Sequence, residues 1–314
     1  MLTYLEFKKL TLDRFMEMLG EEFSDYRLNL RKIVKVNRQL DGLTLEQPDM
    51  EGTQISPTVY VDDLYKDYLC TGNELEAIEK GVVIMRTALR RVNDMCPKLD
   101  YKNVKDKIVF QLINTDNNRS LLADVPHRAF MDLSLIYRWI VNADDQGISS
   151  VIIHNELAEG MGLNEEQLHE LAMENTRRIL EPKISDLEDI MNDLFMKGRV
   201  EPEEMESYLD RAATDRSFFI ISNATGFIGA ASMVYEDVLE FVGQLIGSDF
   251  YILPSSIHEV IAVAACKGSD PDALIELVEG VNKTELEAEE ILSDSVYYYS
   301  LSDKALTSFT ANKY

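Results

Sequence analysis

The chain has 314 residues, 46% of them hydrophobic and 28% charged, a balance that fits a folded protein with a large core and excludes a disordered chain. Its 31 basic and 56 acidic side chains leave a net charge of −25, which repels nucleic-acid phosphates and anionic lipid, so neither a nucleic-acid nor a membrane partner is expected. Cys70, Cys96 and Cys266 are odd in number and lack ligand spacing, so they read as free thiols and no metal is expected. The first residues carry no basic segment ahead of an apolar stretch, and no apolar run reaches membrane-spanning length, so the reading is cytoplasmic.

Leu5, Leu12, Phe15, Met16 and Leu19 recur at helical spacing, which predicts an amphipathic helix over 4–19. Residues 30–37 and 42–45 read as a strand pair, and 55–61 as extended chain with Pro57 at an edge or a strand start. Helices are predicted over 62–69 and 73–95, the second stopping before Pro97. A strand over 107–113 follows. Leu133, Leu135, Tyr137, Trp139 and Val141 then alternate at period two, predicting a strand over 132–141 with one buried face, and 149–153 completes a hairpin. A polar segment at 156–162 leads to a helix over 165–180, with Asn164 as its N-cap. Residues 184–210 read as helical and strongly acidic, with Leu187, Ile190, Leu194, Met205 and Leu209 as apolar contacts and Gly198 and Pro202 as dividers.

The last third repeats the pattern. Strands are predicted over 218–222 and 227–234 around an Asn-Ala-Thr-Gly turn, followed by a helix over 236–246. Strands over 250–253 and 259–264 come next, then helices over 272–279 and 286–292. The fold class is therefore α+β: hairpin-plus-helix units forming mixed or antiparallel sheets flanked by helices, with weak internal duplication. Four regions follow: 1–100 with the first helix, small sheet and helical segment; 101–183 as a first lobe; 184–214 as an acidic connector; and 215–314 as a second lobe.

The strings at 126–133, 170–176 and 249–260 (Pro-His-Arg-Ala-Phe-Met-Asp-Leu, Glu-Leu-Ala-Met-Glu-Asn-Thr and Asp-Phe-Tyr-Ile-Leu-Pro-Ser-Ser-Ile-His-Glu-Val) resemble an uncharacterised family, a domain of unknown function of gut clostridial (Firmicutes) bacteria. The resemblance covers nearly the whole chain. It implies a bacterial, cytoplasmic protein and brings no activity with it.

Two proline-led corners hold the candidate ligand contacts. The first comprises His127, Arg128 and Asp132 after Pro126; if Pro126 opens a helical turn, Arg128 and Asp132 can pair at i and i+4, and His127 sits where an anion is favoured. The polar run at 114–119 before it reads either as a self-bonded loop or as the wall of a polar pocket. The second corner comprises Ser255, Ser256, His258 and Glu259 after Pro254. A serine there can serve as nucleophile with His258 as base, yet no Gly-x-Ser-x-Gly elbow surrounds it, and the bland reading is a serine capping a turn near Ile257. A zinc-protease helix is excluded because position 262 is Ala262. His154 and His169 have no ligand-like spacing, and Gly226, Gly229, Gly243 and Gly247 match no phosphate-cradling loop, so no cofactor is expected.

Two functions remain. The preferred one is a non-enzymatic interaction or regulatory protein with a protein partner and no catalytic residue. The alternative is a hydrolase or small-ligand-binding protein, which requires His127, Arg128, His258 and Glu259 to meet in one cleft.

Overall fold

A computed structural model describes residues 1–46, 57–95, 104–144, 147–186, 189, 218–266 and 270–310. The chain divides into two compact units, Met1–Asp100 and Tyr101–Tyr314.

In the first unit, helix α1 (Tyr4–Leu19) starts at Thr3, whose hydroxyl accepts from the Glu6 amide while the Glu6 carboxylate accepts from the Thr3 amide. This reciprocal cap satisfies two amides that a helix start leaves open. Strands β1 (Arg27–Lys35) and β2 (Arg38–Glu46) pair antiparallel around a two-residue turn in which Asn37 takes a left-handed φ of 59°. The predicted pair is therefore present: the first strand starts earlier and stops at Lys35 instead of Asn37, and the second is longer at both ends. Strand β3 (Thr58–Tyr60) begins directly after Pro57 and pairs with β2 at the side opposite β1. Helices α2 (Val61–Thr71) and α3 (Glu74–Met95) follow, and Phe7, Phe15, Leu43, Leu64, Ile78 and Met85 build a core with the sheet.

One polar group crosses that packing. Asp41 on β2, 2% exposed, accepts from Tyr4 Oη at 2.7 Å and Lys8 Nζ at 3.0 Å and lies 2.9 Å from Lys32 Nζ. Burial pushes its carboxyl up, but the hydrogen bonds from Lys32, Tyr4 and Lys8 outweigh that and hold it at about 2.

In the second unit, strand β4 (Ile108–Asn114) lies along one side of the long β6 (Leu133–Asp144). On the other side of β6, β5 (His127–Phe130) pairs with its first half and β7 (Gly147–Ile152) with its second, all antiparallel. The period-two face of β6 is buried through Leu133, Leu135 and Tyr137, and the register slips between Ile140 and Asn142, leaving Val141 exposed. The short helix α4 (Arg119–Leu122) sits in the polar loop. The polar segment expected at 156–162 is helical, α5 (Asn155–Met161), and Asn164 caps α6 (Glu165–Ile179) through the Gln167 amide as predicted.

Strand β8 (Pro182–Ser185) corrects the expectation of helix from Ile184; beyond it only residues 186 and 189 of the acidic stretch are described, and Leu187, Ile190, Leu194, Gly198, Pro202, Met205 and Leu209 lie outside the described residues. Strands β8, β9 (Phe218–Asn223), β10 (Phe250–Leu253), β11 (Val260–Ala264), β12 (Val296–Ser300) and β13 (Ala305–Phe309) form an antiparallel sheet in the order β13-β12-β10-β11-β9-β8. Helix α7 (Glu236–Ile246) packs on it, and α8 (Pro271–Thr284) runs past the predicted end at 279. Of the helix expected at 286–292 only a single 3-10 turn, Ala288–Glu290, forms. The two sheets share one core in which Phe110, Leu135 and Tyr137 join Ile221, Phe250, Val260 and Tyr297, so the α+β class holds with antiparallel sheets.

The strand expected at 227–234 is instead a 3-10 turn, Gly229–Val234, entered through Ile228 at a left-handed φ of 48°. Close packing explains it. A Cβ at Gly229 would lie 2.3 Å from both the His258 carbonyl oxygen and Ser222 Oγ, so the backbone is pressed against β9 and the 254–259 loop. The small Ala230, Ala231 and Ser232 let the chain coil there rather than extend, and the second hairpin of the expected duplication is absent.

Candidate functional site

At the first corner the residues after Pro126 are strand, not a helical turn. They pair with β6 in the register His127–Ile136 and Phe130–Leu133, because the apolar run 133–140 offers a long partner edge. The helix-start reading of His127 and the Arg128–Asp132 pair are thereby overturned. His127 is exposed, and its Nδ1 donates to the Val125 carbonyl at 2.9 Å. Arg128 instead grips Glu165 at the start of α6, donating from Nε and Nη2 at 3.0 Å each, and Tyr137 Oη donates to the same carboxylate at 2.7 Å. Burial raises the Glu165 carboxyl, and the bonds from Arg128 and Tyr137 overcome this to leave it below the usual carboxylate range. His169, one turn further along α6, meets the Tyr137 ring edge-on at 6.4 Å, and burial together with the Arg128 charge lowers its pKa.

Asp132 sits in the β5–β6 turn behind Met131, which takes a φ of 57°. Its carboxylate accepts three hydroxyls: Ser293 Oγ at 2.5 Å, Ser295 Oγ at 2.9 Å and Tyr297 Oη at 2.8 Å. Burial, then the Asp132 charge, pushes the Tyr297 phenol well above its usual range, so it stays a donor.

At the second corner β10 stops at Pro254, which has no amide to continue the ladder. The loop that follows is a bend at Ile257 and His258, not a helical turn. Ser256, 8% exposed, accepts the His258 amide on Oγ at 3.0 Å and donates its own amide to the Glu259 carbonyl at 3.0 Å. The serine cap exists, but it closes a bend. Ser255 and Glu259 are half-buried beside it. The His258 ring turns toward the 226–228 loop, where Nδ1 lies 3.0 Å from the Gly226 carbonyl and 3.3 Å from the Ile228 amide; either tautomer satisfies one of the two. Its carbonyl accepts from Ser222 Oγ at 2.8 Å.

The two histidines therefore bond in separate loops on separate sheets. What the corners share is a strap. The Glu290 carbonyl accepts the Ile257 amide at 2.9 Å, and three residues later Ser293 begins the hydroxyl set on Asp132. Asn282 of α8 fastens the same strap by donating to the Ser293 carbonyl at 2.9 Å and to Asp294 Oδ1 at 2.8 Å. Sequence reasoning missed Glu165, Tyr137, Ser293, Ser295 and Tyr297 because all lie far along the chain from the residues they hold. Glu165, in the first turn of a capped helix, carried a local signal only for the helix start.

The described residues contain one further cleft of note. Between the end of α6 and α7, a groove of about 560 Å³ is lined by Arg177, Pro182, Ile184, Asp237 and Phe241, the last 51% exposed. Arg177 and Asp237 form an ion pair within it. Among the described residues no three His, Cys, Asp or Glu side chains group as metal ligands do.

Fold and corners together define an α+β protein in which two turns are strapped to one returning segment, and no described helix is long and apolar enough to cross a membrane. The chain belongs to a family of unknown function, DUF5688, matched over residues 4–301. No curated protein and no solved structure matches it.

Proposed function

We propose that this chain is a non-enzymatic interaction or regulatory protein of the bacterial cytoplasm. The observation that carries this reading is the internal use of the corner groups. Ser256 Oγ is spent on the His258 amide, and the His258 ring faces a backbone loop instead of a hydroxyl nucleophile. Arg128 is held in a two-point grip by Glu165, and Asp132 by three hydroxyls. General-base catalysis needs the base within hydrogen-bond reach of the group it deprotonates, an arrangement these contacts do not provide. The exposed Phe241 in a groove with mixed charge is the kind of side chain that anchors a protein contact. The bacterial and cytoplasmic placement rests on the resemblance to gut clostridial proteins.

The test has two arms. Affinity capture from a bacterial host is run with the full chain and with Phe241→Asp; recovery of one protein in stoichiometric amount, lost with Phe241→Asp while the circular dichroism spectrum is unchanged, supports the reading. Turnover of an ester, amide or phosphoester substrate that falls at least tenfold with both Ser256→Ala and His258→Ala contradicts it.

A further inference from the structure

Arg138 carries a charge that no carboxylate pairs among the described residues. It sits in the middle of β6 with its side chain on the face opposite Tyr137, the face built from Val109, Ile140, Leu180 and Ile228 with Phe227 and Ile148 packed against them. Its Nε donates to Ser150 Oγ at 2.9 Å, its Nη1 to Gln111 Oε1 at 3.0 Å and its Nη2 to the Ser150 carbonyl at 3.4 Å. All three acceptors are neutral. Gln111 is itself 2% exposed, and the guanidinium lies 6.0 Å from the centre of the Phe227 ring. Burial alone pushes the group down to about 10, with no carboxylate among the described residues acting to raise it.

A guanidinium has five N–H donors, and three are used among the described residues. A desolvated positive charge held only by neutral acceptors is costly unless an anion completes it, and the outward donors of a guanidinium fork suit an oxyanion. Arg138, Ser150 and Phe227 all keep partial exposure, so the site opens to solvent. We infer that Arg138, with Gln111 and Ser150 fixing its fork and Phe227 beside it, forms a binding site for a small monocarboxylate carried on an apolar body. One negative charge neutralises the single cation, whereas a phosphate dianion would leave a charge uncompensated in an apolar site. The apolar Phe227 and Ile148 suit the body of the ligand, and the net charge of −25 disfavours polyanions. The site stands whether or not the chain has a protein partner.

The test is thermal unfolding of the full chain in sodium benzoate, sodium acetate, sodium phosphate and sodium chloride at matched ionic strength. The expected result is a saturable rise of about 2–4 °C in benzoate over chloride, a smaller rise in acetate and none in phosphate. Arg138→Gln is expected to abolish the benzoate increment, and Arg138→Lys to weaken it at least tenfold in apparent affinity. A phosphate effect equal to that of benzoate, no benzoate increment in the unaltered chain, or an undiminished increment in Arg138→Gln overturns the site. Should both variants fail to fold, the Arg138 Nε–H resonance of the unaltered chain decides: a shift on adding benzoate but not chloride supports the site, and an unmoved resonance overturns it.

Discussion

The two units treat a hydrogen-bonded carboxylate in opposite ways. Asp41 in the first unit meets two lysines and a phenol, whereas Asp132 in the second meets two serines and a tyrosine. Charge compensation lets Asp41 sit 2% exposed on a central strand with a carboxyl held at about 2. Asp132 has only dipoles to lean on and stays half-buried at a turn. Asp41 thus locks one small core in place, while Asp132 ties a turn to the strap at 293–297. Acid should therefore act on the first unit through Asp41.

The packing that both loops of the second corner depend on is the most sensitive point of the second unit. Gly229→Ala is expected to cost about 3 kcal/mol of unfolding free energy in urea, because its Cβ meets the His258 carbonyl, a backbone atom that cannot swing away. Asp41→Asn should cost nearly as much, about 2–3 kcal/mol, since Tyr4, Lys8 and Lys32 lose the charge they converge on. Asp132→Ala should cost about 2 kcal/mol, because it leaves the buried hydroxyls of Ser293, Ser295 and Tyr297 without the acceptor they share.

Acid sharpens the contrast without mutation. The folded Asp41 carboxyl lies below its unfolded value, so its contribution is complete above roughly pH 5, where the unfolded carboxylate is ionised, and is lost as pH falls through the folded value. Unfolding monitored between pH 5 and pH 2 should show the first unit losing on the order of 2 kcal/mol. The same titration on Asp41→Asn should lose that dependence. The smallest effect has the opposite sign. Tyr299, 1% exposed, buries a phenol with no partner among the described residues, so Tyr299→Phe should be neutral or stabilise by up to about 1 kcal/mol in the same urea titration.

Local patterns carried much of this fold. The period of α1, the Asn164 cap, the β1–β2 pair and the apolar run of β4 were all legible because each signal lies within a few residues of the element it forms. Failures came where distant contacts decided. Residues 227–234 have strand-like composition, yet the approach of Gly229 to His258 bends them into a 3-10 turn. The chain after Pro126 had no local sign of which edge it would join, and β6 claimed it.

The corners were legible as clusters of polar residues but not in their partners. Arg128 finds Glu165 across 37 residues, and Asp132 finds Ser293 across 161, separations that no spacing rule reaches. Arg138 did leave a mark, as a lone cation between Tyr137 and Trp139 in an apolar strand, and so did Gln111 inside the apolar β4. A polar residue at an interior strand position asks for a partner, and that question is answered here across neighbouring strands.

Both corners are fastened to the segment 290–297 and hold it, so loosening one should loosen the other. Amide hydrogen exchange tests this directly in Asp132→Ala. Faster exchange at the Ile257 amide, which donates to the Glu290 carbonyl, is the predicted result, with β9 and β11 unchanged. Exchange at Ile257 that stays at the wild-type rate while the amides of 293–297 open would contradict it.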